Sequence, residues 1–201
     1  SDACIAVVDG RGECNTATLF VSEESGDLRE IDGVPVDPLG TSVGGVYDTA
    51  SRLLGFGPHG QGAVMALAAF GEPQYDLSHI LSFSEASGFV ANPSELQRLL
   101  LPLRRGFKDP ILPVHAHVAR SVQDALVSAV VEYVVARFAP YSSRNLCLAG
   151  GVFLNCPLNS ALQKLERWDR VFVQPAAHDG GTALGAALEI AHRSGETRHN
   201  T

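Results

Sequence analysis

The sequence predicts an α/β fold in which helices cover a mixed sheet of antiparallel and parallel strands. Three observations predict it. Short runs rich in β-branched residues, separated by turn residues, open the chain at 4–10, 16–24 and 28–34. Apolar residues at helical spacing dominate the middle of the chain, and the last third alternates apolar runs with helical segments. Such alternation is typical of parallel strands joined by helices.

The three opening runs are predicted to form an antiparallel meander. CIAVVDG at 4–10 ends in an Asp-Gly turn signal, and TATLFVSEE follows at 16–24. Ser-Gly-Asp at 25–27 then turns the chain into LREIDGV at 28–34. Strands joined by turns this short pair with antiparallel neighbours.

Helices are predicted over 41–54 and 62–70, separated by the glycine-rich loop GFGPHGQG. Ser94, with Gln97 three residues later, is predicted to cap the next helix. The strongest periodic pattern lies at 115–138, where apolar residues recur at i, i+4. These residues are Val118, Val122, Leu126, Val130, Val134 and Phe138.

Two strand–helix units complete the predicted fold. NLCLAGG at 145–151 is a strand, followed by a helix to about residue 167. RVFVQP at 170–175 is a second strand, and HDGG at 178–181 opens the last helix. The polar segment 194–201 is predicted to be a frayed tail.

Composition excludes several function classes. A net charge of −7 argues against a nucleic-acid binder, which needs basic clusters. The most apolar long segment, 125–139, is too short and too charged to span a bilayer, and no signal peptide is recognisable. The four cysteines show no zinc spacing and are interpreted as reduced thiols, which predicts a cytoplasmic protein; the lack of a spanning segment predicts no membrane partner.

Three strand-to-turn junctions share one design. They are Asp9-Gly10-Arg11-Gly12-Glu13, Gly150-Gly151 and Asp179-Gly180-Gly181. Ligands of open α/β sheets gather at the carboxyl ends of strands, where glycine lets a phosphate or purine approach the backbone. Carboxylates there supply hard oxygen ligands for a metal that neutralises phosphate. Any one junction could be a plain turn with an aspartate N-cap, but three together favour a ligand site.

Other candidate sites are weaker. His115 and His117 stand two apart on one helix and cannot share a metal, whereas His59 and His178 are candidates in exposed loops. The chain has neither a GxxxxGK[ST] loop nor a GxSxG elbow, which excludes P-loop NTPases and serine hydrolases of that type.

Four motifs together resemble the O-carbamoyltransferases of antibiotic and nodulation-factor biosynthesis. They are VVDGRGE, GFGPHGQGAVMALAAFG, LAGGVFLNCPLN and VFVQPAAHDGGTALGAAL, in the family's order and across almost the whole chain. The resemblance implies an actin-like, sugar-kinase (RNase H-like) fold related to the tRNA threonylcarbamoyltransferases. It also implies that a carbamoyl group passes from carbamoyl-adenylate to a hydroxyl of a small molecule, beside an iron-type divalent metal.

The resemblance assigns roles to named residues. Asp9 and Asp179 match the family's metal-binding aspartates. Gly150, Gly151 and Asn155 match the segment that lies against adenosine. Gly10 and Gly12 match the glycines of the phosphate-side hairpin, and Gly180 is expected to face the adenylate. The catalytic base is not identified.

Two departures from the family pattern are present. The family's His-rich metal motif and its first subdomain precede VVDG, and the domain that makes carbamoyl-adenylate from carbamoyl phosphate and ATP follows the transferase domain. Neither lies in this sequence, so residues 1–193 are expected to be the second actin-like subdomain, inactive alone. Ala63 also stands where lysine is common. A sugar or acid kinase subdomain and a non-catalytic nucleotide-binding module remain as alternatives.

Overall fold

The first strand of the chain lies at the centre of a five-stranded mixed sheet. The computed structural model describes residues 3–23, 25–36, 41–86 and 88–195. The strands are β1 (Cys4–Val8), β2 (Asn15–Ser22), β3 (Leu28–Pro35), β4 (Leu81–Ser84), β5 (Gly88–Ala91), β6 (Asn145–Ala149) and β7 (Arg170–Val173). The order of the five-stranded sheet is β3-β2-β1-β6-β7, and β4 and β5 form a separate two-stranded hairpin.

Six helices connect or follow these strands in the described ranges. They are α1 (Val43–Leu53), α2 (Gln61–Ala68), α3 (Pro93–Leu100), α4 (Pro113–Phe138), α5 (Cys156–Gln163) and α6 (Thr182–Arg193). Short 3-10 turns lie at Leu101–Leu103, Gly151–Leu154 and Asp179–Gly181. Within the same ranges, no helix is long and apolar enough to cross a membrane.

The sheet register brings three strand ends to one edge. β1 runs antiparallel to β2, with Ala6 opposite Leu19, and parallel to β6, with Ala6 beside Leu148. β6 in turn runs parallel to β7. Because parallel strands share a direction, the chain leaves β1, β6 and β7 at the same edge of the sheet.

The two faces of the sheet differ in burial. Cys4, Ala6 and Val8 of β1 point into a core that also contains the apolar stripe of α4, whose members are at most 2% exposed. On the opposite face Ile5 and Val7 are only half-buried. α6 contributes no buried residue in the described part of the chain. The core is therefore one-sided.

The predicted α/β class with a meander followed by parallel strands is confirmed. Each predicted strand and helix is present, with ends that differ by a few residues. All four cysteines lie within the described ranges, and no disulfide links them. Residue 24 and residues 196–201, which include most of the predicted polar tail, lie outside the described residues.

Two predicted helix starts are wrong. Asn92, not Ser94, caps α3, because the Asn92 side chain accepts the N–H of Glu95 at 3.0 Å and Pro93 opens the helix. The helix predicted after residue 151 is interrupted: a 3-10 turn ends at Leu154, and α5 begins only at Cys156. Proline near the start of α5 has no N–H to continue a helix from the preceding turn.

The β4–β5 hairpin was not predicted. Its strands span only four residues each, and although Leu81–Ser84 alternates apolar and polar residues, Gly88–Ala91 does not. Tertiary packing stabilises it. The rings of Phe83 and Phe89 lie 5.3 Å and 4.6 Å, centroid to centroid, from the ring of Tyr133 on α4.

His115 and His117 lie at the start of α4, as predicted, and each accepts a backbone N–H. His115 Nδ1 accepts the N–H of Leu112 at 2.9 Å, and His117 Nδ1 accepts the N–H of Glu72 at 3.0 Å. Burial, together with the nearby guanidinium of Arg105, lowers the pKa of His115 below its usual 6.5. The folded protein therefore favours neutral His115 as a hydrogen-bond acceptor.

A lowered pKa means that the folded state binds the His115 proton less tightly than the unfolded chain does. The contribution of neutral His115 to the free energy of unfolding is therefore complete above about pH 6.5 and is lost as the pH falls. In His115→Gln the amide oxygen can accept the Leu112 N–H without titrating. We expect the melting temperature of this variant, followed by circular dichroism, to fall less than that of the wild type between pH 7.5 and 5.5.

His59→Gln, at an exposed loop position, controls for the loss of one histidine. An equal acid-side loss of melting temperature in His115→Gln and the wild type would contradict this explanation.

Candidate functional site

The three predicted junctions converge on one cleft of about 570 Å³ at the carboxyl ends of β1, β6 and β7. The first junction contributes Asp9 and Gly12, and the second contributes Gly150. The third contributes Asp179 and Gly181. Their convergence follows from the parallel register of the three strands.

Asp9 cross-links two of the junctions. Its Oδ1 accepts the N–H of Gly10 at 2.6 Å, and its Oδ2 accepts the N–H of Gly151 at 3.0 Å. Its own N–H donates to the carbonyl oxygen of Thr16 at 2.8 Å, which continues the pairing with β2. The carboxylate is half-buried between the two turns. Asp9 therefore has a structural role in holding these turns together.

Gly150 allows the second junction to lie directly against β1. Its φ of +96° and ψ of 150° belong to a region that is almost exclusive to glycine. A Cβ at this position would lie 2.1 Å from the carbonyl oxygen of Val8. The Gly150 N–H donates to the carbonyl oxygen of Ala177 at 2.7 Å, which connects this turn to the segment after β7.

The start of α1 supports the first junction, a role that the sequence motifs did not indicate. Ser42 Oγ donates to the carbonyl oxygen of Gly10 at 2.6 Å and accepts the N–H of Gly45 at 2.8 Å. A Cβ on Gly44 would lie 2.5 Å from the Cα of Gly10. The sequence feature that indicates this contact is Ser-Val-Gly-Gly at 42–45, because glycines at a helix start permit close approach of another backbone segment.

Gly12 shapes the turn between β1 and β2. A Cβ on Gly12 would lie 2.2 Å from the carbonyl oxygen of Asn15, so the turn can close only around a residue without a side chain. This constraint supports a tight hairpin at the position where the resemblance expects the phosphate-side glycines.

His178, not Asp179, caps the 3-10 turn before α6. His178 Nδ1 accepts the N–H of Gly180 at 3.0 Å, while the carbonyl oxygen of Asp179 accepts from Thr182 Oγ1 at 2.7 Å. A Cβ on Gly180 would lie 2.5 Å from His178 Cε1. A Cβ on Gly181 would lie 2.2 Å from the carbonyl oxygen of Ala176. The Asp179 side chain is exposed at the cleft, and helix capping does not account for it.

Asn155 lies away from the cleft wall. It is 9% exposed, and its Oδ1 accepts the N–H of Leu158 at 3.0 Å, which caps α5. The same oxygen accepts from Gln123 Nε2 at 2.9 Å. Gly10, Gly151 and Gly180 belong to the junctions but do not line the cleft itself.

The cleft has an acidic, cation-free lining. Asp9, Glu13 and Asp179 contribute carboxylates and His178 an imidazole, but no Lys or Arg lines it among the described residues. No group of three His, Cys, Asp or Glu side chains in the described ranges could hold a metal ion. The two predicted aspartates therefore do not form a complete metal site by themselves.

The loop GFGPHGQG lies at the opposite end of α1 from the cleft. The N-terminus of α1 contacts Gly10, whereas the loop follows Leu53 at its C-terminus. Neither the loop nor Ala63 on α2 lines the cleft. The departure from lysine at position 63 thus does not alter the cleft.

Comparison with known proteins identifies the same family that the four sequence motifs resemble. The family model described as "Carbamoyltransferase N-terminus" matches residues 1–188. The chain belongs to the carbamoyltransferase family. The similarity to this family that the sequence indicated is confirmed.

The curated relatives are much longer than this carbamoyltransferase chain. Nodulation protein NolO of Bradyrhizobium diazoefficiens is 35% identical over 95% of the chain and 35% of its own length. Nodulation protein NolNO of Sinorhizobium fredii is 31% identical over 96% of the chain and 28% of its own length. A 3'-hydroxymethylcephem-O-carbamoyltransferase of Amycolatopsis lactamdurans is 31% identical over 64% of the chain and 24% of its own length. The chain spans about a third of the length of the two nodulation proteins.

A solved structure confirms the actin-like fold. The activator of the 2-hydroxyisocaproyl-CoA dehydratase from Clostridium difficile, with bound ADPNP, superimposes with a TM-score of 0.53. The match covers 99% of this chain and 65% of the activator, at 14% sequence identity. At this identity the match shows the fold alone.

The Gly150 contact with β1 makes a matched pair of glycine substitutions informative. Gly150→Ala places a methyl group against the Val8 carbonyl in a strained conformation, and we expect it to lower the free energy of unfolding by about 3 kcal/mol. Gly62→Ala, on α2 with no atom within 4 Å of the new Cβ, should be neutral or stabilising by up to about 1 kcal/mol.

Urea unfolding of both variants measures these changes. Equal stability of Gly150→Ala and the wild type would show that the second junction does not lie against β1 as described.

Proposed function

We propose that this chain is the nucleotide- and metal-binding half of an O-carbamoyltransferase. The observation that carries the proposal is the convergence of three glycine-bearing strand ends on one cleft. Family membership and the similarity to a cephem O-carbamoyltransferase support the reaction class. The donor is carbamoyl-adenylate, made from carbamoyl phosphate and ATP, and the acceptor is a hydroxyl group of a small molecule.

The cleft has the shape and chemistry that an adenylate needs. Its volume of about 570 Å³ lies in the usual range for small-molecule sites. Ile5, Val7 and Phe172 give it an apolar wall against which a base or ribose can lie. Gly12 and Gly150 leave backbone bare at the strand ends, and α6 begins at the cleft with a helix N-terminus that favours phosphate.

In the proposed transfer, the acceptor hydroxyl oxygen bonds to the carbamoyl carbon and the bond from that carbon to the adenylate oxygen breaks. AMP leaves, and the hydroxyl proton passes to a base that we do not assign. Gly10, Gly151, Asn155 and Gly180 contribute by fixing the turns around the adenylate, since none of them lines the cleft.

A divalent, iron-type metal is part of the proposal for the whole protein. The cleft lining carries no Lys or Arg among the described residues, so an adenylate phosphate there needs another cation. Asp9 keeps oxygen lone pairs beyond the two backbone hydrogen bonds it accepts, and Asp179 is exposed at the cleft. These two carboxylates would contribute to the metal site, and imidazole ligands from outside this chain would complete it.

Residues 1–193 are accordingly proposed to be the second subdomain of the transferase domain. We assign the acceptor contacts and the adenylate-forming activity to regions of the full-length protein that correspond to the parts of the longer relatives outside the match to this chain. The great length of the nodulation relatives supports this division.

A product assay tests the proposed function. The full-length protein is incubated with carbamoyl phosphate, ATP and candidate hydroxyl compounds, and products are identified by mass spectrometry. We expect a carbamoylated acceptor together with AMP, and no product from the 201-residue chain alone. A phosphorylated acceptor would instead identify a kinase, and nucleotide binding without any product would identify a non-catalytic module.

The role of Asp179 can be tested separately from its effect on folding. Asparagine at this position removes a negative charge while keeping the shape of the side chain. Because Asp179 is exposed and does not cap the turn, we expect Asp179→Asn to shift the melting temperature by only a few degrees. In the full-length enzyme it should reduce transfer about 100-fold or more and lower the metal content.

Asp27→Asn, in the exposed turn between β2 and β3, is the matched control and should retain activity. Full activity of Asp179→Asn with normal metal content would remove Asp179 from the proposed site.

A further inference from the structure

The middle of α4 carries a glutamine whose side chain lies in the protein interior. Gln123 is 4% exposed and stands next to Val122 of the apolar stripe. A buried amide costs free energy unless its polar atoms are hydrogen-bonded, so the partners of Gln123 indicate what it does.

Gln123 and Asn155 form a reciprocal pair of amides. Gln123 Nε2 donates to Asn155 Oδ1 at 2.9 Å, and Asn155 Nδ2 donates to Gln123 Oε1 at 3.0 Å. Gln123 Oε1 also accepts from the hydroxyl of Tyr47 at 2.8 Å. Tyr47 is 5% exposed, so the three side chains form one buried polar network.

The network connects the elements that support two of the cleft junctions. Tyr47 lies on α1, whose N-cap Ser42 donates to the Gly10 carbonyl oxygen and whose Gly44 lies close against Gly10. Asn155 caps α5 directly after the 3-10 turn that begins at Gly151. Gln123 contacts both other side chains from α4, and the hydroxyl of Tyr47 also lies within hydrogen-bond reach of Asn155, so that the three side chains contact one another.

We propose that Gln123 is a positioning residue for the nucleotide site: it fixes Asn155 and Tyr47, and through them the spacing between the Gly10 and Gly151 turns. The inference rests on the proposed function of the cleft. It also gives Asn155 a role that acts through the start of α5 rather than by contact with adenosine, since Asn155 does not line the cleft.

The first test compares two variants of α4 in the full-length protein. Gln123→Leu keeps a side chain of similar size but removes all three hydrogen bonds. Ser121→Ala, two residues away, removes an oxygen that accepts the N–H groups of Gln74 and Tyr75 at 3.1 Å, in a loop that does not line the cleft. Both variants should lower the melting temperature.

Only the first variant should affect the ligand. Isothermal titration calorimetry with AMP, at a temperature where both variants are folded, should give a Kd about tenfold higher for Gln123→Leu. The Kd of Ser121→Ala should equal that of the wild type. A purely structural role for Gln123 would lower the melting temperature in both variants and leave both Kd values unchanged.

A second single variant keeps the test decisive if Gln123→Leu folds poorly, and a double-mutant cycle extends it if both fold. Asn155→Ser retains a good N-cap for α5 but removes both bonds to Gln123. We expect it to raise the Kd for AMP as Gln123→Leu does, and the double variant to bind no more weakly than either single one.

The possible outcomes separate the two proposals. Wild-type Kd in Asn155→Ser, or additive losses in the double variant, would overturn the positioning role while leaving the nucleotide site intact. Failure of the wild-type protein to bind AMP would overturn the proposed function and this inference with it.

Discussion

The close contact between Gly150 and the end of β1 is the constraint on which the rest of the site depends. Because a Cβ on Gly150 would lie 2.1 Å from the Val8 carbonyl oxygen, only glycine lets the chain leave β6 directly beside β1. This contact places the N–H of Gly151 where Asp9 Oδ2 can accept it. The Gly150 N–H donates to the carbonyl oxygen of Ala177 and so positions the segment that leads to Asp179. Backbone at three strand ends is thus fixed by one small turn.

The resulting cleft is lined by glycine backbone and by carboxylates, and no basic side chain lines it among the described residues. This composition suits a ligand that arrives with a cation or shares one with the rest of the protein, because carboxylates alone would repel a phosphate. The half-buried sheet face and α6 frame the same cleft, whereas the packed core lies on the other side of the sheet. Stability and ligand contact are therefore divided between the two faces of one sheet.

The elements that the sequence predicted correctly are those with strong local signals. The meander follows from turn residues, α4 from its i, i+4 stripe, and the junctions from Asp-Gly and Gly-Gly pairs at strand ends. The β4–β5 hairpin was missed because its strands have only four residues each and β5 shows no alternation, while the contact that stabilises the hairpin is with the distant Tyr133. The cap of α3 was misplaced because Asn92 and Ser94 are both good capping residues on either side of Pro93.

The site itself was predictable only in part. Sequence motifs identified the turns, but the supporting contacts of Ser42, Gly44 and Gln123 join residues far apart in the chain. No local pattern marks such contacts. The sequence also predicted Asp9 only as a metal ligand, whereas in the structure its two oxygens accept the N–H groups of the adjacent Gly10 and the distant Gly151.

Hydrogen–deuterium exchange of the full-length protein, with and without AMP, tests the central claim that the three junctions form one nucleotide site. Peptides that cover residues 9–14, 149–155 and 176–182 should gain protection together, and at the same AMP concentration. Protection of only one of these segments, or protection confined to the groove near Tyr75 and Asp124, would contradict the claim that they act as one site.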